Sequence, residues 1–133
     1  MTQPCIIKHV MQTEDKNCMS ACITMITGID IDTVTKEFHK EYCDCNIDPH
    51  EYLAYVGMPF RRCMAGERKL MHNHVYFMCV PSLNIQGGLH EVVAQINNDG
   101  TWYILDPNMG KENKKVYIAG PDKDLNPGIY IFL

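Results

Sequence analysis

The four residues Asn97-Asn98-Asp99-Gly100 constrain this chain more than any other short stretch. They lie between two mostly apolar runs and suit a type I turn followed by glycine in the left-handed region, the three-residue hairpin loop. That turn pairs Asn97 with Thr101 and, counting back, Val92 with Asp106. His90 and Asp106 then become diagonal neighbours on one face of the sheet, within side-chain reach. The same face carries Val92, Ala94, Ile96, Trp102 and Ile104, so it is expected to be the buried one. A histidine and an aspartate at the edge of an apolar face need partners, because burying an unpaired polar group is costly. Two readings follow. Either the two satisfy each other as a structural pair, or Asp106 orients His90 while the other ring nitrogen faces Cys18.

Cys18 lies in the stretch Gln12 to Met25, QTEDKNCMSACITM, which reads as a polar turn running into a helix. Ala21, Cys22, Met25 and Ile26 recur at helical spacing and predict one buried face. Thr13, Asp15 and Asn17 are candidate N-caps, and Gly28 stops the helix. A thiol in the first turn meets unpaired backbone N–H groups and the positive end of the helix dipole, which favour the reactive thiolate. The alternative is a cysteine that is only a small buried hydrophobe.

The rest of the chain follows in order. Cys5 to Val10 is a short strand or an extended entry. Asp30 or Asp32 caps a second helix running to about Tyr42, with Ile31, Val34 and Phe38 inward. Cys43 to Asn46 is a turn. Asp48 and Pro49 open a third helix that turns Tyr52, Leu53 and Val56 inward and ends at Gly57. Met58 to Cys63 is extended, and Ala65 to Asn73 is a loop. Val75 to Val80 is a central strand closed by Pro81. Leu89 to Asn97 and Thr101 to Asp106 form the hairpin, and Val116 to Ala119 and Ile129 to Leu133 are short strands. Helices first and antiparallel strands after predict an α+β fold in one domain spanning 1–133.

Gln12, five residues, Cys18 and a small-residue helix, with His90-Glu91-Val92-Val93 and Asp106-Pro107 later, resemble the papain-like peptidases that trim double-glycine leaders from bacteriocin precursors. The resemblance spans nearly the whole chain. It implies a papain-like fold, with N-terminal helices packed on a C-terminal antiparallel sheet. It implies a cysteine peptidase, a thiol hydrolase with Cys18 as nucleophile, His90 as base and Asp106 as its orienting partner. Gln12, with the Cys18 backbone N–H, would hold the oxyanion. The implied reaction cleaves a peptide or isopeptide bond through an acyl-enzyme and needs no cofactor and no metal. This chain departs from the pattern beside the cleft: Met19 replaces a glycine, Asn17 an aspartate and Glu91 an aromatic, and Leu89 separates the glycines from His90. Gly87-Gly88 is expected to be a flexible loop that lets substrate approach His90, rather than a self-processing site.

Composition narrows the field. Apolar residues make up 46% and charged residues 21% of the 133, as in a globular chain. No apolar run approaches the roughly 18 residues that span a bilayer, and the N-terminus does not read as a secretory signal. A net charge of -4 without a basic stripe argues against nucleic acid and anionic membrane as partners. The expectation is a cytoplasmic protein acting on a peptide or protein substrate, its oligomeric state left open. Its seven cysteines are expected to be reduced. A zinc site built from Cys43, Cys45 and Cys63 with His39, His50, His72 or His74 is the weaker alternative, because the spacing lacks paired Cys-x2-4-Cys units. Two further alternatives keep the peptidase fold: a catalytically idle binding module, and an acyl transferase or amidase using the same triad.

Overall fold

The protein is described by a computed structural model covering residues 3–61, 70–118 and 131–132. Helix α1 is Cys18–Thr27. Helix α2 is α-wound over Ile31–Val34, π-wound over Thr35–His39 and α-wound again over Lys40–Cys43. Helix α3 is Pro49–Tyr55. The strands are β1 (His74–Pro81), β2 (Leu89–Ile96), β3 (Trp102–Leu105) and β4 (Ile131–Phe132), in the sheet order β3-β2-β1-β4 with every pair antiparallel. This is the α+β layout expected from the order of the elements.

Local chemistry explains the boundaries. Gly28 ends α1 in the left-handed region at φ 77°, its N–H donating to the Thr24 carbonyl. The Asp30 carboxylate caps α2 by accepting from the N–H groups of Asp32 and Thr33. Asp48 and Glu51 close a capping box around Pro49, the first residue of α3. Asn97 N–H donates to Thr101 O at 2.8 Å, and Ile96 pairs with Trp102 and Val93 with Leu105. The hairpin register is therefore the one the turn residues predict, and one further step sets Val92 opposite Asp106.

Burial departs from expectation in two places. Helix α1 buries more than one face: Met19 to Met25 are all buried. Met19 and Ile23 pack with Val34 and Phe38 of α2 and Tyr52 of α3, while Cys22 and Met25 pack on Val93 and Leu105 of the sheet. The helix is thus sandwiched between the other helices and the sheet. The sheet, in turn, has two covered faces. Val92, Ala94, Ile96 and Ile104 form one core with Tyr76, Met78, Val80 and Tyr117, and Glu91, Val93 and Gln95 are buried on the other side. The face bearing His90 is buried as expected, but it is not the buried face alone, because α1 covers the opposite one.

Other expectations are corrected. Residues 114–118 form no strand: the Lys115 N–H donates to Asn84 Oδ1 and the Tyr117 N–H to Asp106 Oδ2, so side chains satisfy backbone that a ladder would otherwise use. Ala119 lies outside the described residues, as do Cys63, the loop over 65–69 and Ile129. Of the two readings of Cys5 to Val10, a short strand or an extended entry, the strand is not formed; the segment is pinned beside β2, with Ile6 N–H donating to Gln95 Oε1 and Gln95 Nε2 to the Pro4 carbonyl. Gly87 and Gly88 lie in the loop expected between β1 and β2. They close a tight β1–β2 connection in which Ser82 N–H donates to Gly88 O, Gly88 N–H donates to Ile85 O, and Gly87 sits at φ 75°.

Candidate active site

Three separate elements bring Cys18, His90 and Asp106 together: the start of α1, the start of β2 and the residue just after β3. Hairpin register places the second and third. His90 Nε2 donates to Asp106 Oδ1 at 2.6 Å, with His90 8% and Asp106 1% exposed. That bond leaves Nδ1 as the free ring nitrogen, and Cys18 stands close enough to the same imidazole to raise its pKa. Burial alone pulls the His90 pKa down. The hydrogen bonds and charges of Asp106 and Cys18 outweigh it and hold the imidazole up to about 9.

Asp106 is held on every side. Besides His90, Oδ1 accepts from the Asn108 N–H at 2.8 Å and Oδ2 from the Tyr117 N–H at 3.0 Å. Its own carbonyl accepts from His9 Nε2 at 2.7 Å. The next carbonyl, that of Pro107, accepts from the Gln12 N–H at 2.9 Å and so ties the segment before α1 to the end of β3. Neither Asn108, Tyr117 nor His9 was legible as a site residue, since each acts from loop backbone or across nearly the whole chain length.

Gln12 and Asn17 depart from their expected roles. Gln12 is buried beside the site, but its Nε2 donates to the carbonyls of Glu14 at 2.8 Å and Asp15 at 3.2 Å. Both amide hydrogens are thereby committed, and Gln12 offers the oxyanion no free donor in this arrangement. Asn17 flanks α1 without capping it: Oδ1 accepts from the N–H groups of Thr13 and Glu14, and Nδ2 donates to Thr13 Oγ1 and Thr35 Oγ1. Spending Asn17 on the loop leaves the first turn, where Cys18 sits, without a side-chain cap.

Around Cys18 the other thiols are held protonated. Burial pushes Cys22 well up, with the Glu91 and Cys18 charges adding to it, and burial followed by Glu91 pushes Cys79 up to about 11. Glu91 itself is 4% exposed, and its Oε1 has no hydrogen-bond partner. Burial and then the Cys18 charge raise its pKa well above the usual carboxylate value, His90 opposing.

The cysteine-rich zinc arrangement is not assembled among the described residues. Cys43 touches His39, Sγ to Nδ1 at 3.8 Å, while Cys63 lies outside them. The described groups close enough to share a cation are instead Asp48, His50 and Glu51, two of them already joined in the α3 capping box. Cys5, Cys18, Cys22, Cys43, Cys45 and Cys79 are free thiols. No helix among the described residues is long and apolar enough to cross a membrane.

No family model, curated protein or solved structure matches this chain.

Proposed function

We propose that the protein is a cysteine peptidase of papain-like fold, cleaving a peptide or isopeptide bond in a peptide or protein substrate. One observation carries this reading: a single buried imidazole is bound by Asp106 on one nitrogen, at 2.6 Å, and lies close enough to Cys18, at a helix start, for the thiol to raise its pKa. Nε2–H is committed to Asp106, so Nδ1 is the atom that takes the Cys18 proton, and a His90 pKa raised to about 9 favours the imidazolium that results. The Cys18 proton passes to Nδ1, and Asp106 stabilises the imidazolium that forms. The thiolate attacks the scissile carbonyl carbon, and the carbonyl oxygen takes the negative charge. When the tetrahedral intermediate collapses, the C–N bond breaks and His90 returns its proton to the leaving amine. Water then attacks the thioester with His90 as base, releasing the acid and regenerating Cys18. If an amine replaces water in that step, the same groups perform acyl transfer.

Oxyanion stabilisation falls first to backbone N–H groups of the uncapped turn at Cys18. Gln12 joins them only by giving up its longer bond, the 3.2 Å contact to the Asp15 carbonyl. That commitment favours a second reading, a papain-like binding module that holds a peptide without cutting it. A degenerate peptide library separates the two. The peptidase yields new N-termini and an acyl adduct on Cys18 in acid-quenched samples, both absent from Cys18→Ala. Peptide retention without products or adduct, in wild type, contradicts the peptidase.

A further inference from the structure

A cavity of about 670 Å³ opens between α1, α3 and β1, lined on the α1 side by Met19, the residue after the proposed nucleophile, and by Ile26. Its lining is mainly apolar: Met19, Tyr42, Leu53, Phe60, Phe77 and Leu89 contribute, and Phe60 and Leu89 are exposed, at 44% and 66%. Glu91 stands in this wall. It is the residue after His90, so strand alternation sends it to the opposite face of β2 and into this space. Its carboxyl is almost fully buried, and Oε1 has no hydrogen-bond partner. A buried acceptor without a donor is costly, and native proteins rarely keep one that does nothing. The other charged or titratable groups of the lining are Asp48, His50, Arg61, His74, Tyr42, Tyr76 and Cys79. Arg61 is exposed and already engaged, and Cys79 is held as a thiol.

We propose that Glu91 determines substrate choice: the cavity takes a side chain with an aliphatic stem and an ammonium tip, lysine-like, whose tip donates to the Glu91 carboxylate. The stem replaces water along Met19, Leu53 and Phe77, and the tip supplies the missing donor. Bringing a cation to Glu91 favours its ionised form, so binding draws a proton off the carboxyl. A charge-assisted bond in a water-poor pocket is stronger than its neutral counterpart, and this is where discrimination arises. The same pocket disfavours an acidic side chain. This inference rests on the peptidase reading only in calling the occupant a substrate residue.

The test reads binding apart from cleavage. Full-length protein carrying Cys18→Ala is incubated with N-acetyl pentapeptide amides in which each position in turn is lysine, norleucine or glutamate. Peptides retained after rapid gel filtration are counted by mass spectrometry. At one position lysine should be retained about tenfold or more over norleucine, with glutamate lowest. Glu91→Gln and Glu91→Leu should bring the lysine-to-norleucine ratio to about one or below, both remaining folded by circular dichroism. Equal retention of lysine and norleucine at every position, or a lysine preference that survives both Glu91 variants, overturns the proposal. A Glu91-dependent preference together with an inert Cys18 in wild type supports the pocket and removes the peptidase.

Discussion

His90 and Glu91 are consecutive residues of β2, yet they face opposite sides of the sheet and obey opposite rules. His90 lies in a hydrogen-bonded network: Asp106 binds it, and Asn108 and Tyr117 N–H groups bind Asp106. Glu91 lies among apolar side chains with an orphan oxygen. The satisfied side is built to hold charge and the unsatisfied side to receive it. One raised pKa therefore reports partners and the other reports their lack.

Removing groups on the satisfied side should have the largest effects. Cys18→Ala abolishes peptide cleavage, and His90→Ala lowers kcat/KM by roughly 10³-fold or more. The double variant is no worse, because groups acting as a unit are non-additive. Additive losses in a fluorogenic peptide assay would show that the two do not act together.

Asp106→Asn should lower both activity and stability. The amide presents only one acceptor oxygen to groups that now share two, so at least one of the His90, Asn108 and Tyr117 donors loses its partner. We expect a loss of about 1–3 kcal/mol in urea denaturation, with kcat/KM down roughly 10²–10⁴-fold. A fold weakened without any change in Cys18 reactivity would make Asp106 and His90 a structural pair.

Glu91→Gln tests the other side and should act in the opposite direction. Because the folded state raises the Glu91 pKa, stability falls as pH rises above 4.5, where the unfolded carboxyl ionises and the buried one resists. The variant should therefore match wild type near pH 4 and exceed it at pH 7, by about 1–3 kcal/mol. A constant difference across that range would mean that Glu91 is not a buried, unpaired acid. His90 behaves otherwise: its raised pKa gives stability that is fully present below pH 6.5 and lost as pH climbs through about 9. Thermal melts of wild type and His90→Ala should differ in slope over that window.

Gln12→Ala should have the smallest catalytic effect, about tenfold or less, because its donors are already held by Glu14 and Asp15. A loss near 10²–10³-fold, the range expected for an oxyanion donor, would restore Gln12 to the role that the resemblance implies.

Much of the satisfied side was legible because short-range chemistry controls it. Gly100 at φ 86° sets the hairpin, the hairpin sets the register, and the register brings His90 to Asp106. Gly28, Asp30 and Asp48 mark helix ends for equally local reasons. What escaped depends on contacts distant in sequence. Glu91 reads only as a replacement for an aromatic beside the cleft, and its burial comes from α1 packing on that face of β2. Val116 to Ala119 read as a strand, but Asn84 and Asp106 take the N–H groups of Lys115 and Tyr117. The π turn at Thr35–His39 accompanies the stacking of Phe38 on Tyr42, at 5.0 Å between centroids, and carries no local sequence mark. Gln12 and Asn17 were assigned by position, but the loop between them uses their side chains to close itself.

The central claim is that His90, held by Asp106, takes the Cys18 proton. Iodoacetamide labelling across pH, mapped by mass spectrometry in wild type and folded His90→Ala protein, tests it most directly. In wild type at pH 6, Cys18 should be alkylated about tenfold faster than Cys22 and Cys79, and His90→Ala should remove that low-pH reactivity. A Cys18 rate at pH 6 that is the same in both proteins would contradict the claim.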